Sequence, residues 1–186
     1  MSELDPQQEP GLKRVLEGEF DFFGMISSVR ELDTPPLYWR YERLSGNLQR
    51  TVECSSTIGV PHGLDTLVYT TLLDIDRTVK KSPGSPYDVT IETIDTELSL
   101  LFPEADVDPD TIYAAVLRLN DAIMTITDVR RDLKQTSKRI FSLINFLSIH
   151  DSPDEAPAYR KLLTVLLNED MIRLNRQRYS PVTDPS

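Results

Sequence analysis

Cysteine and histidine are nearly missing from this 186-residue chain, which has one of the first, Cys54, and two of the second, His62 and His150. An internal disulfide needs a second thiol, so none is expected, in keeping with a reducing cytoplasmic compartment. A structural zinc site takes four Cys or His ligands, more than the whole chain carries. Long apolar runs are also absent: no window approaches the ~20 residues of a membrane helix. The acidic start lacks the charged and apolar parts of a signal peptide, so no membrane partner is expected. There is no glycine-rich phosphate loop, no G-x-S-x-G and no H-E-x-x-H. Cys54 and His62 are near in sequence only, which does not orient a thiol against a base, and an ordinary half-buried cysteine is the plainer reading. Glu104, Asp106, Asp108 and Asp110 alternate like the start of a calcium loop. Counted from Asp106, however, the required glycine is Thr111 and the closing acid is Leu117, so helix capping explains these acids better. No enzyme, cofactor, metal or small-molecule substrate is expected.

Positive charge is scarce as well. Lys and Arg number 20 against 30 Asp and Glu, giving a net charge of -10, and an acidic surface repels the phosphates that supply most nonspecific DNA affinity. The deficit is uneven. Residues 1–128 hold 10 basic and 23 acidic groups, whereas residues 129–178 hold 10 basic and 6 acidic. Any contact with nucleic acid must therefore be local, and the base is concentrated in the last third.

What is present is enough for one domain with arms: 39% of residues are hydrophobic, ordinary for a buried core. Residues 1–19, rich in Glu, Asp, Gln and Pro, read as a mobile acidic arm. The folded domain is expected over residues 20–179, with a flexible tail at 180–186. Phe20, Phe22, Phe23, Met25, Ile26 and Val29 form an apolar run that is either strand or short helix. Residues 37–44 and 48–55 flank the turn signal Ser45-Gly46-Asn47 and predict a β-hairpin. Its aromatics Tyr38, Trp39 and Tyr41 are expected to pack on the core rather than to stack on bases.

From Gly63, the residues Leu64, Leu67, Val68, Thr71, Leu72, Ile75 and Val79 recur at helical spacing and predict a first amphipathic helix. A short extended piece at 88–91 follows, then a second helix capped by Thr93 and carrying Ile94, Leu98, Leu101 and Phe102. Asp108 as N-cap with Pro109 behind it opens a third helix, predicted to run to about Met124. Its buried stripe reads Ile112, Tyr113, Val116, Leu119, Asn120 and Ile123, with Ala115, Arg118 and Ala122 outward. Two helices across a short break fit a helix-turn-helix. Residues 125–133 and 139–149 are strand-like and joined by 134–138, which reads as a wing. Arg130, Arg131, Lys134, Lys138 and Arg139, opposed only by Asp132, make it the one phosphate-facing patch. Residues 159–167 are strand or helix start, Asn168 or Asp170 caps a last turn, and Arg173, Arg176 and Arg178 add basic charge.

The run Gly59-Val60-Pro61-His62-Gly63-Leu64-Asp65, leading straight into the first helix, resembles the opening of the first winged-helix domain of plasmid replication initiators of the replication initiator A type. The order of parts agrees over residues 20–182: apolar segment, hairpin, this run with its helix, an extended-then-helical VTIETIDTELSLL, the helix TIYAAVLRLNDAI, the basic hairpin through KRIFSLINFLSI, and the closing LLTVLLNEDMIRLNRQRYSPV. The resemblance implies an α+β winged-helix fold with a three-helix core, a β-hairpin wing and an additional N-terminal β-hairpin. It implies double-stranded DNA bearing origin repeats as partner, with the third helix and Arg118 in the groove and the wing on phosphates, and it allows a homodimer. The chain departs from the pattern in ending where a second winged helix would start, and in offering Arg118 as the third helix's only base. An acidic single module acting in dimerisation or protein interaction is the alternative.

Overall fold

The computed structural model describes residues 35–79, 85–151 and 161–172. The arm, the apolar run at 20–29, Arg173, Arg176, Arg178 and the tail lie outside the described residues.

Strands β1 (Tyr38–Ser45) and β2 (Leu48–Ser55) form the expected hairpin. Gly46 takes a φ of 56° at the first of its two loop positions, which a primed hairpin turn requires and which glycine reaches without a Cβ penalty. Three helices follow: α1 (Asp65–Thr78), α2 (Ile91–Leu101) and α3 (Pro109–Asp121), with β3 (Tyr87–Thr90) between the first two. Then come β4 (Ile123–Arg130), β5 (Gln135–Ser142), β6 (Ile144–Asp151) and β7 (Lys161–Leu167). Among the described residues all pairings are antiparallel, in two sheets: β1-β2-β4-β5 and β3-β7-β6. The fold is α+β.

Helix α1 is more enclosed than its one-face pattern predicts. Besides Leu67, Val68, Leu72 and Ile75, it buries Tyr69, Leu73, Thr66, Asp74 and Asp76, so it runs through the middle of the core, where other elements cover its polar side too. Tyr69 donates its hydroxyl to the carbonyl of Leu143 at 3.2 Å, and Tyr87 donates to the carbonyl of Leu72 at 3.0 Å.

Several boundaries shift from expectation, each for a local reason. Helix α2 starts earlier: Thr90 is the N-cap, and its hydroxyl accepts from Thr93 N–H at 3.1 Å, so Thr93 is capped rather than capping. Leu101 is 38% exposed rather than buried. Asp108 caps α3 as expected, its carboxylate accepting from the N–H groups of Asp110 and Thr111. That helix ends at Asp121 rather than near Met124, because Ile123 and Met124 already pair with β2 and β5. The buried face of α3 is Ile112, Ala115, Val116 and Leu119, followed by Ala122, while Asn120 and Ile123 are exposed. The two alanines expected to face outward are thus inside, where small side chains allow close packing against α1 and α2.

The predicted strand over 139–149 is two strands. Between them Leu143, fully buried, accepts from Asn168 N–H at 3.1 Å as well as from Tyr69, and the chain turns there from one sheet into the other. The basic hairpin is therefore β4–β5, with its turn at 131–134 rather than 134–138. It pairs with the N-terminal hairpin and not with β3, whose partner is β7. Residues 161–167 resolve as strand, and Asn168 caps the final turn by accepting from Asp170 N–H at 3.1 Å.

Candidate nucleic-acid interface

The glycine-proline run builds a clamp between α1 and α3. Gly59 has a φ of 120°, and a Cβ there would collide with the Pro35 ring, so only glycine lets the run lie against the start of β1. His62, nearly buried, sets its Nδ1 at 3.0 Å from the Val60 carbonyl. Asp65 is the first residue of α1 rather than its cap, and its carboxylate accepts from His62 N–H at 2.9 Å. The same carboxylate receives Arg118 in a bidentate fork, Nε at 2.8 Å and Nη2 at 2.7 Å. Asp65 is 1% exposed and Arg118 20%. A second carboxylate, Asp121 at the end of α3, accepts from Ser56 Oγ at 2.6 Å, Thr57 N–H at 2.5 Å and Thr57 Oγ1 at 2.9 Å. The Ser56 hydroxyl bond, with those from Thr57 and Ile58, holds the Asp121 carboxyl below the usual range against the opposing effect of burial.

Arg118, the base assigned to groove reading, is thus bound inside the molecule. The rest of α3's outward side offers Asp110, Ala114, Leu117 and Asn120, and none of these is a cation.

The other predicted residues come together. Arg130 ends β4, Arg131 and Lys134 stand in the turn, and Lys138 and Arg139 follow on β5, all of them exposed. Lys134 takes a φ of 50°, an uncommon backbone for a non-glycine residue that closes the four-residue turn. The two hairpin tips are joined: Arg131 N–H donates to the Asn47 carbonyl at 3.0 Å, and its Nη2 to Gln49 Oε1 at 3.0 Å. Pairing of β2 with β4 also brings in a residue the sequence did not single out. Arg50 stands opposite Asp128 and grips it with Nε at 2.7 Å and Nη2 at 2.9 Å. Arg139 Nη2 is 3.8 Å from the same carboxylate. The Arg50 bond, aided by the charges of Arg50 and Arg139 and opposed by burial, holds the Asp128 carboxyl below its usual range. No sequence signal marks Arg50, because which strand lies beside β2 is a property of the sheet.

The aromatics divide. Trp39 packs against the core, but Tyr38 and Tyr41 are exposed, contrary to expectation. Strand alternation puts Tyr38 on the far side of the sheet, where its hydroxyl donates to Glu53 at 2.5 Å. Tyr41 stacks on Trp39 with ring centroids 6.0 Å apart. Cys54 is fully buried, and burial together with the nearby Asp121 pushes its thiol up to about 12. His150 is exposed. Among the described residues no helix is long and apolar enough to cross a membrane.

No protein-family model matches the sequence, and no curated protein matches it significantly. The fold is similar to two crystal structures of domains 2 and 3 of RctB. One, of selenomethionine derivatives, has a TM-score of 0.56 at 11% identity, covering 83% of this chain and 59% of that one. The other, of residues 155–483, has a TM-score of 0.57 at 12% identity, covering 81% and 57%. At such identity the likeness speaks for the fold alone. The chain spans less than three fifths of the length of either structure.

Proposed function

We propose that the chain is a DNA-binding module of the replication-initiator type that meets backbone phosphates of double-stranded DNA with the joined tips of its two hairpins. The observation that carries this is the clustering of Arg130, Arg131, Lys134, Lys138 and Arg139 on one hairpin of a chain of net charge -10. Phosphate binding by Lys and Arg supplies the salt-sensitive, sequence-independent part of DNA affinity. Support comes from the GVPHGLD resemblance, with a fold like that of domains 2 and 3 of RctB. The order α1, β3, α2, α3, β6, β7, with β3 pairing with β7, agrees with a winged-helix frame whose wing is the β6–β7 hairpin. The basic hairpin is then an arm added to that frame. As proposed, the module carries no catalytic centre and works by position and charge.

A salt titration of duplex binding by fluorescence anisotropy tests it. Replacing Arg130, Arg131, Lys134 and Lys138 together with alanine is expected to flatten the dependence of log K on log salt by up to ~0.9 unit for each phosphate no longer neutralised. Unchanged affinity and slope would remove the arm from the reading.

One observation favours a protein-interaction module instead: the only base of α3 is held by Asp65. A wild-type chain that shifts no duplex at low salt but scatters light as a stable dimer would establish that alternative.

A further inference from the structure

We infer that the arm engages the DNA backbone with one face of its sheet, the face continuous with the protein core, and that Asp128 limits the strength of that grip. This rests on the DNA-binding reading above. Side chains alternate across a strand, so the register sorts the arm's charges. Arg50, Asp128, Arg130 and Arg139 fall on the inner face, in line with core residues Val52, Cys54, Met124 and Ile126. Lys138 falls on the outer face, opposite Thr127, and shares that face with Arg40, Glu42 and Glu53. Arg40 is paired with Glu42 there.

The faces therefore differ in sign as well as in composition. Among the described side chains the inner one carries three guanidiniums around a single carboxylate, and the outer one balances two bases with two acids. Near the tips the inner face also opens into a cleft of about 390 Å³ lined by Leu48, Asp128, Arg130, Gln135 and Ser137. Exposed Arg130, with the amide of Gln135 and the hydroxyl of Ser137 beside it, offers donors of the kind a phosphodiester oxygen accepts. Asp128 does two things at that place. It fixes Arg50 in a bidentate fork and draws Arg139 to 3.8 Å, and its own charge repels an approaching phosphate.

Anisotropy of a fluorescein-labelled random-sequence duplex across a salt series distinguishes the faces, with thermal melts showing that each variant folds. Arg130→Ala and Arg139→Ala are each expected to flatten the salt slope by ~0.9 unit, whereas Arg40→Ala, on the outer face, leaves it unchanged. Asp128→Asn keeps the side chain's shape, removes the charge, and is expected to tighten low-salt binding several-fold. A structural ion pair with no part in binding would give the opposite, weaker or unaltered affinity. Equal effects of Arg40→Ala and Arg130→Ala, or weaker or unaltered binding by folded Asp128→Asn, would overturn the assignment of the face while leaving DNA binding intact. A wild-type chain that binds no duplex would overturn the underlying reading itself.

Discussion

Arg118 on α3 and Arg139 on the arm each stand beside an aspartate, and the two regions use the same pairing in opposite ways. On α3 the fork is bidentate at 2.7 and 2.8 Å and its acid, Asp65, is 1% exposed. On the arm Arg139 is 47% exposed and 3.8 Å from an acid already gripped by Arg50. A buried carboxylate cannot exchange its partner for water, so Arg118 is committed to the core. An arginine at the rim stays in contact with water and can exchange it for a phosphate. Basic residues thus become candidates for recognition according to how buried their acid is, not according to the element that carries them.

The largest effect that could break this contrast is at Arg118. Arg118→Ala leaves Asp65 buried without its cation and is expected to cost about 3 kcal/mol or more, roughly 6–12 °C in Tm for a chain of this size. Urea unfolding followed by circular dichroism measures it. The folded fraction should bind DNA with the wild-type salt slope. A variant as stable as wild type, but with a flattened slope, would return Arg118 to the groove and dissolve the distinction.

How far the sequence alone could anticipate this contrast depends on the range of the interactions. Capping at Asp108, the turn at Gly46 and the spacing of α1 act over a few residues, and these elements stand where local chemistry puts them. The cluster 130–139 was legible for the same reason, since one hairpin carries it whole. The Asp65–Arg118 fork spans 53 residues and Arg50–Asp128 spans 78. Neither spacing leaves a trace in periodicity. The turn of the α3 face shares this cause: Ala115 and Ala122 look outward by hydrophobicity, but close packing against two other helices favours small residues there. The sheet switch at Leu143 was hidden because strands β5 and β6 form one unbroken β-prone run whose partners are chosen far away.

A smaller effect sharpens the contrast from the other side. Arg50→Ala removes a half-buried fork and is expected to cost about 1 kcal/mol near neutral pH, reduced by solvent screening at this rim position. The pH dependence has a definite sign. Asp128 is held below the ordinary carboxylate range chiefly by Arg50, so its contribution is fully present above the unfolded-state pKa of about 4. It is lost as pH falls through the lower folded-state value. Wild type and Arg50→Ala should therefore differ in stability at pH 7 and converge in acid, as urea midpoints across a pH series would show. A difference that persists at the acid end would mean that Arg50 stabilises by packing its stem rather than through its charge.

The smallest effect locates the border between the two regions on a single strand. Cys54 and Arg50 lie on the same face of β2, but Cys54 is 1% exposed and its thiol is pushed up to about 12 by burial. At neutral pH both access and thiolate fraction are therefore low. A disulfide reagent such as dithionitrobenzoate should leave native Cys54 untouched and react with it only on unfolding. The rate then reports opening of the core half of the sheet and is blind to the arm. Arg118→Ala, which weakens the core, should speed the reaction by the factor its stability loss dictates. Arg130→Ala, at the exposed rim, should leave the rate where it is. Acceleration by both variants would mean that arm and core open together, and the arm's charges could no longer be treated as independent of the fold that carries them.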